Sequence, residues 1–157
     1  MPDDLQIITG NKKSQYISIT AQIKGLTEGE LDFIANLANI TAALKEQFNW
    51  LWIGFYLVKK DELVLGPFQG PVACTRIRKG RGVCGTSWEK AQTIIVADVE
   101  KFPGHIACSS LSRSEIVVPI IRNNEVIGVL DVDSELHGHF DEIDKQFLEE
   151  IVSIIDC

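Results

Sequence analysis

The sequence predicts an α+β domain: one mostly antiparallel sheet with a helix before it and a helix after it, rather than a doubly wound parallel sheet. Three observations carry this expectation. Two pairs of branched and aromatic runs are joined by short polar connections, Lys60-Asp61-Glu62 and Arg122-Asn123-Asn124-Glu125, and each pair reads as a hairpin. A capping-box signal, Thr27-Glu28-Gly29-Glu30, opens a helical-period stretch ahead of the first hairpin. The chain closes on a second helical-period run.

Each element follows in order. Leu31, Ile34, Ala35, Ala38, Ala42 and Leu44 recur with an approximately helical period, so a helix is expected to about Phe48. Trp50 to Lys59 is rich in aromatic and branched residues and resumes after the turn as Leu63 to Phe68, giving the first hairpin. Gly80, Gly82 and Gly85 bracket Cys84 and introduce a short helix through about Lys90, followed by a buried strand at Thr93 to Val96. A loop then spans roughly Ala97 to Arg113. Glu115 to Ile121 and Val126 to Val132 form the second hairpin. The last helix starts near Asp141, whose side chain can cap it, and runs through Phe147, Ile151 and Ile154.

A length of 157 residues suits a single domain with its own core. The hydrophobic share of 45% and charged share of 24% are ordinary for a globular chain, and low-complexity tracts and repeats are absent. Met1-Pro2-Asp3-Asp4-Leu5 lacks the basic and apolar regions of a secretory signal, and no apolar run reaches the roughly 18 residues of a membrane span. A soluble, cytoplasmic protein without membrane attachment is expected. The net charge of −7 disfavours nucleic acid, whose binding rests on clustered Lys and Arg.

Cys74, Cys84 and Cys108 lie mid-chain, and Glu115, Asp131 and Asp133 gather just downstream. In a reducing compartment such thiols are more often catalytic, redox-active or metal-binding than structural disulfides, although a free Cys taken alone is commonly a small core residue. A zinc site would need His105 beside Cys108, and no Cys-x-x-Cys occurs, so no metal is expected. Cys157, at the end of the chain, is read as incidental.

The segments Asn49-Trp50-Leu51-Trp52-Ile53-Gly54-Phe55-Tyr56, Gly82-Val83-Cys84-Gly85-Thr86 and Leu130-Asp131-Val132-Asp133-Ser134, with cysteines spaced by ten and then twenty-four residues, closely resemble the free methionine-(R)-sulfoxide reductases. These are built on a GAF domain with a loop-covered ligand pocket. The resemblance covers about residues 16–155 and makes the whole of 1–157 one GAF domain. It implies reduction of free L-methionine (R)-S-oxide to L-methionine. Cys108 would be the nucleophile, with Cys84 and Cys74 as resolving or relay thiols in an order left open. Asp131 would face the sulfoxide oxygen, Glu115 and Asp133 would hold the substrate ammonium, and Trp52 and Tyr56 would wall the methyl end; Trp50, Phe55 and Trp88 read instead as core. Thioredoxin or another dithiol is the implied external reductant, with no bound cofactor, and a homodimer is compatible with the sequence.

The chemistry of these residue types agrees. A thiolate attacks a sulfoxide sulfur readily only if an acid protonates the oxygen, and the resulting sulfenic acid condenses with a second thiol. Three crowded carboxyls cannot all ionise, so at least one is a proton source near neutral pH. Thiolate character is expected at Cys84 from a helix N-terminus and at Cys108 from Arg113. Backbone N–H groups near Ile116 to Val118 are the expected contact for the substrate carboxylate. The acids also constrain the second hairpin. A regular two-residue loop at Asn123-Asn124 would set Glu115 opposite Val132, away from both aspartates, so a three-residue loop with a bulge, or an equivalent strand irregularity, is expected to pair Glu115 with Asp133. The competing readings are a GAF ligand sensor and a thiol redox switch that reacts once with oxidant without turnover.

Overall fold

A computed structural model describes residues 4–106 and 108–155; Cys157 falls outside them. Six strands form one antiparallel sheet: β1 Trp52–Lys59, β2 Glu62–Gln69, β3 Arg76–Arg78, β4 Ile94–Val96, β5 Ser114–Arg122 and β6 Glu125–Ser134, in the order β3-β2-β1-β6-β5-β4. The helices are α1 Lys12–Thr27, α2 Phe33–Phe48, α3 Gly82–Lys90 and α4 Glu142–Ser153. No helix among the described residues is long and apolar enough to cross a membrane.

Two-residue alternation along each strand divides the sheet into two faces. Ile53 and Phe55 of β1, Ile116, Val118 and Ile120 of β5, and Leu130 and Val132 of β6 point to one side and pack under α1, α2 and α4. Trp52 and Tyr56, Val117 and Val129 point to the other, where α3 lays Val83, Cys84 and Trp88 over them. Trp50 and Phe55 sit in the first core and Trp88 in the second, as expected of them.

The structure corrects the N-terminal part of the sequence reading. A first helix, α1, precedes Thr27, announced by Asn11 as N-cap and by the Tyr16, Ile19, Ile23 spacing on its buried face. Thr27 therefore ends a helix instead of capping one, and its hydroxyl donates back to the Ile23 carbonyl at 3.0 Å. The cap of α2 is Asp32, which accepts from the Ala35 N–H at 2.8 Å, while Glu30 accepts from the Asp32 N–H. Leu31 lies outside the helix and Ile34 on its exposed side; Leu37, Ile40 and Leu44 carry the buried stripe. A short edge strand, β3, also goes beyond the sequence reading, which places Arg76–Arg78 in no element.

The second hairpin resolves the register question through the strand irregularity. Asn123 and Asn124 form a two-residue turn with φ of 51° and 62°, the left-handed pair a primed turn requires. Arg122 pairs with Glu125 and Ile121 with Val126, but Ile120 pairs with Gly128, so Ile127 is an extra residue on β6. That bulge shifts the register by one and sets Glu115 opposite Asp133.

Candidate active site

The register builds the floor of a pocket on the α3 face. Trp52, Asp133 and Glu115 form one row across β1, β6 and β5, and Gly54, Asp131 and Val117 form the next. Directly opposed side chains on neighbouring strands lie about 5 Å apart, so three carboxyls are forced together. Above them α3 brings Cys84 in, with its sulfur and an oxygen from each of Glu115 and Asp131 all within 4.8 Å of one another. Among the described residues this trio is the group able to offer a metal ion three ligand atoms.

Gly54 has a specific role in the floor. A Cβ there would lie 2.4 Å from the Trp52 ring and 2.5 Å from Phe68 Cβ, so only glycine lets the indole lie across the strand. Trp52 then stacks on both Tyr56 and Phe68, with centroids 6.0 and 5.4 Å away. Both aromatic walls also hold the loop that carries Cys74. The Trp52 indole N–H donates to the Pro71 carbonyl at 3.0 Å, and the Tyr56 hydroxyl donates to the Cys74 carbonyl at 2.8 Å.

Cys74 and Cys108 are joined in a disulfide with Cα atoms 5.6 Å apart; both are half-buried, and Cys108 lines the pocket. Cys84 is free and buried. Of the two candidate partners for Cys108, the structure therefore pairs Cys74. The pocket enclosed by these elements contains about 610 Å³ of space, its open mouth included.

Two further residues complete the acid cluster and were not singled out by the sequence as its members. The Ser112 hydroxyl donates to Asp133 Oδ1 at 2.8 Å. His105 Nε2 lies 3.9 Å from Glu115 Oε1, so the imidazole belongs to the acids rather than to a cysteine metal site. The signal for both is their position in the loop that brackets Cys108, but serine and histidine in a loop carry no periodicity that would select them.

Burial dominates the electrostatics. Glu115 is 5% and Asp131 6% exposed, and desolvation, reinforced by mutual repulsion at Glu115 and Asp133, holds all three carboxyls above their ordinary range. Glu115 and Asp133 are raised furthest. At Asp131 the rise is opposed by hydrogen bonding with Glu115 and Cys84. Burial also pushes the Tyr56 hydroxyl up and His105 down. Asp131 Oδ1 is buried without a hydrogen-bond partner among the described residues. An unsatisfied carboxylate oxygen in such a place costs about 1–3 kcal/mol or more, a deficit that an incoming donor removes.

Three expectations are overturned here. Cys84 is not biased to thiolate by its place near the start of α3: burial and then the charges of Asp131, Glu115 and Asp133 push its thiol well up. Arg113 does not serve Cys108, because its guanidinium donates to the carbonyls of Ser110 at 2.8 Å and Ser112 at 3.2 Å. Ile116 and Val117 cannot offer free N–H groups to a carboxylate, since β5 is paired there on both edges, to β4 and to β6. The first turn of α3 instead brings the N–H groups of Gly82, Val83 and Cys84 to the pocket without an intrahelical partner, and its N-cap, Arg81, supplies no side-chain bond.

Comparison with known proteins places this arrangement. A family model described as the GAF domain matches residues 30–156. GAF domain-containing protein A of Dictyostelium discoideum is 62% identical over 157 residues, covering 99% of both chains. Free methionine-R-sulfoxide reductase of Escherichia coli is 46% identical over 93% of this chain and 89% of its own. The crystal structure of free methionine-R-sulfoxide reductase from Neisseria meningitidis in complex with its substrate superposes with a TM-score of 0.95 at 53% identity, covering 97% of this chain and 92% of that one. The antiparallel sheet and its helical layers are thus those of a known fold, and the chain belongs to the GAF-domain family.

Proposed function

We propose that this chain reduces free L-methionine (R)-S-oxide to L-methionine through a cysteine sulfenic acid and a disulfide. The observation that carries the reading is a single pocket lined by three buried carboxyls, one of them offering an unpartnered oxygen, and by Cys108, which is bonded to Cys74. A relative 46% identical to this chain bears the name of this activity, and the similar Neisseria structure holds its substrate.

The free amino acid fits this pocket by charge. Its ammonium is matched by Glu115 and Asp133, and the energy of that pairing offsets the desolvation of both partners. Its carboxylate is matched by the three open N–H groups of the first turn of α3, where the helix dipole also favours an anion. Trp52 and Tyr56 pack on the apolar end. A peptide-bound sulfoxide has neither charge, so it forfeits both contacts.

Cys108 attacks the sulfoxide sulfur while Asp131, whose carboxyl burial holds above the ordinary carboxylate range, gives its own proton to the oxygen. The S–O bond of the substrate then breaks, its hydroxyl passes to the Cys108 sulfur, and methionine departs with the electron pair, leaving Cys108 as a sulfenic acid. The Cys74 thiol then attacks that sulfur, the oxygen leaves as water, and the disulfide forms. Thioredoxin or a small dithiol reopens it, and no bound cofactor takes part. Cys84, buried between α3 and the acids, has a packing and electrostatic role rather than the resolving one.

The test is turnover with the separated R and S epimers of free methionine sulfoxide and a peptide-bound sulfoxide as control. The R epimer of the free amino acid is consumed continuously and the other two are not. Replacement of Cys108 by Ser abolishes methionine formation even in a single turnover; equal yields from this variant and the wild type would overturn the assignment.

A further inference from the structure

We propose that the exposed face around the Cys74–Cys108 disulfide is the docking surface for a protein dithiol whose reactive edge carries acidic side chains. This rests on the reductase reading above and adds how the reductant is recognised. Exposed apolar and basic side chains flank the paired cysteines in the chain. Val72, Ile106 and Leu111 are 87%, 38% and 52% exposed, and each lies within three residues of one of the paired cysteines. Arg76, Arg78 and Arg81 line a surface recess together with Gly104 and Ile106. The recess is thus bounded by the segment that follows Cys74 and the segment that precedes Cys108, each reaching within two residues of a paired cysteine.

The charge distribution selects the partner. The chain carries 15 basic residues against 22 acidic ones, yet Arg76, Arg78, Lys79 and Arg81 place four of the basic ones within six positions. β3 has Ile77 buried on one side, so Arg76 and Arg78 stand together on the other. Arg76 has an exposed contact to Glu62 at 3.4 Å, whereas Arg78 and Arg81 form no ion pair among the described residues. An otherwise acidic molecule therefore turns a positive face outward where its disulfide must be reopened. Exposed apolar side chains together with arginine match the composition of protein interfaces, and complementary charge speeds encounter.

The exchange balances within this complex. One thiolate of the partner attacks a sulfur of the Cys74–Cys108 bond, forming a mixed disulfide and expelling the other cysteine as thiolate. The partner's second thiol then displaces the bound sulfur, leaving the partner as a disulfide and this chain as a dithiol, two electrons richer. A small dithiol performs the same steps without needing the surface, which makes the surface separable from the chemistry.

The experiment measures reduction of free methionine-(R)-sulfoxide with two reductants, dithiothreitol and an acidic thioredoxin recycled by its own reductase. The variants are Arg76→Glu with Arg78→Glu, and separately Leu111→Ser, all on the exposed face. With thioredoxin the double variant loses about tenfold in kcat/KM, the low end of what electrostatic steering supplies. Leu111→Ser loses less, and added salt erodes the wild-type rate. With dithiothreitol both variants match the wild type, and the KM for the sulfoxide is unchanged. Thioredoxin kinetics indifferent to the variants, or an equal fall with both reductants, overturns the docking proposal. Absence of wild-type turnover with dithiothreitol instead removes the reductase reading itself.

Discussion

At the residue scale, what distinguishes the three cysteines is their surroundings. Cys74 and Cys108 are half-buried and bonded to each other, while Cys84 lies over the carboxyls, where burial and then their charges push its thiol well up. Replacement of Cys74 by Ser therefore spares the first turnover and blocks disulfide closure, leaving Cys108 as a sulfenic acid that a dimedone-type probe labels. Cys84→Ser keeps disulfide closure and recycling by dithiothreitol, which mass spectrometry of the oxidised protein and steady-state turnover check together. The reverse pattern would return the resolving role to Cys84. Spacing along the chain did not separate these two candidates, because it says nothing about which loop folds back on which.

At the scale of elements, β1 joins the pocket to the core. Its odd-numbered Ile53 and Phe55 face the helices and its even-numbered Trp52 and Tyr56 face the site, with Gly54 leaving room for the indole between them. A Gly54→Ala substitution pushes the Trp52 ring and the Phe68 strand apart, costing about 2 kcal/mol as overpacking. It also lowers kcat/KM, because the displaced indole no longer holds Pro71 and the loop that continues to Cys74. Urea denaturation and steady-state kinetics on the same sample read both effects. On the opposite side, buried Asp144 accepts from Lys12 Nζ and the Tyr16 hydroxyl at 2.6 Å each and from the Asp141 N–H at 2.8 Å. It thereby closes the capping box of α4 and ties α1 to it. Asp144→Ala leaves those donors stranded and costs about 3 kcal/mol by urea denaturation. The KM for the sulfoxide is unchanged in the folded protein, because the sheet stands between Asp144 and the pocket. Asp141 was legible as the α4 cap from its position, but the tie to α1 spans more than a hundred residues and leaves no local trace.

At the scale of the whole molecule, the acid cluster makes stability depend on pH. Glu115, Asp131 and Asp133 have folded-state affinities for protons above those of ordinary carboxyls at 4.5 and 3.8, so the native state holds protons that the unfolded chain releases. Their contribution is present in full below the ordinary carboxyl range and is lost as pH rises through the raised values. The melting temperature of substrate-free protein therefore falls on going from pH 5 to pH 8, and Glu115→Gln flattens that fall while abolishing tight substrate binding. Parallel melting curves for the two proteins would show that Glu115 does not hold the extra proton. Because the substrate ammonium restores ionisation of the acids, stabilisation by substrate is larger at the higher pH.

Much of the molecule was already written in local pattern. Runs of branched, aromatic and apolar residues identified β1, β2, β5 and β6, the Asn123-Asn124 turn marked a hairpin, and Asp141 marked the start of α4, because each of these depends on residues close in sequence. The family motifs located every acid and thiol of the pocket. Tertiary structure alone decided the rest: that Thr27 ends a helix, that a bulge at Ile127 turns Glu115 toward Asp133, that Cys74 meets Cys108, and that β5 spends its N–H groups on two neighbouring strands. Those outcomes are set by which surfaces exclude water together, and burial of that kind is a property of the assembled sheet and helices rather than of any stretch of chain.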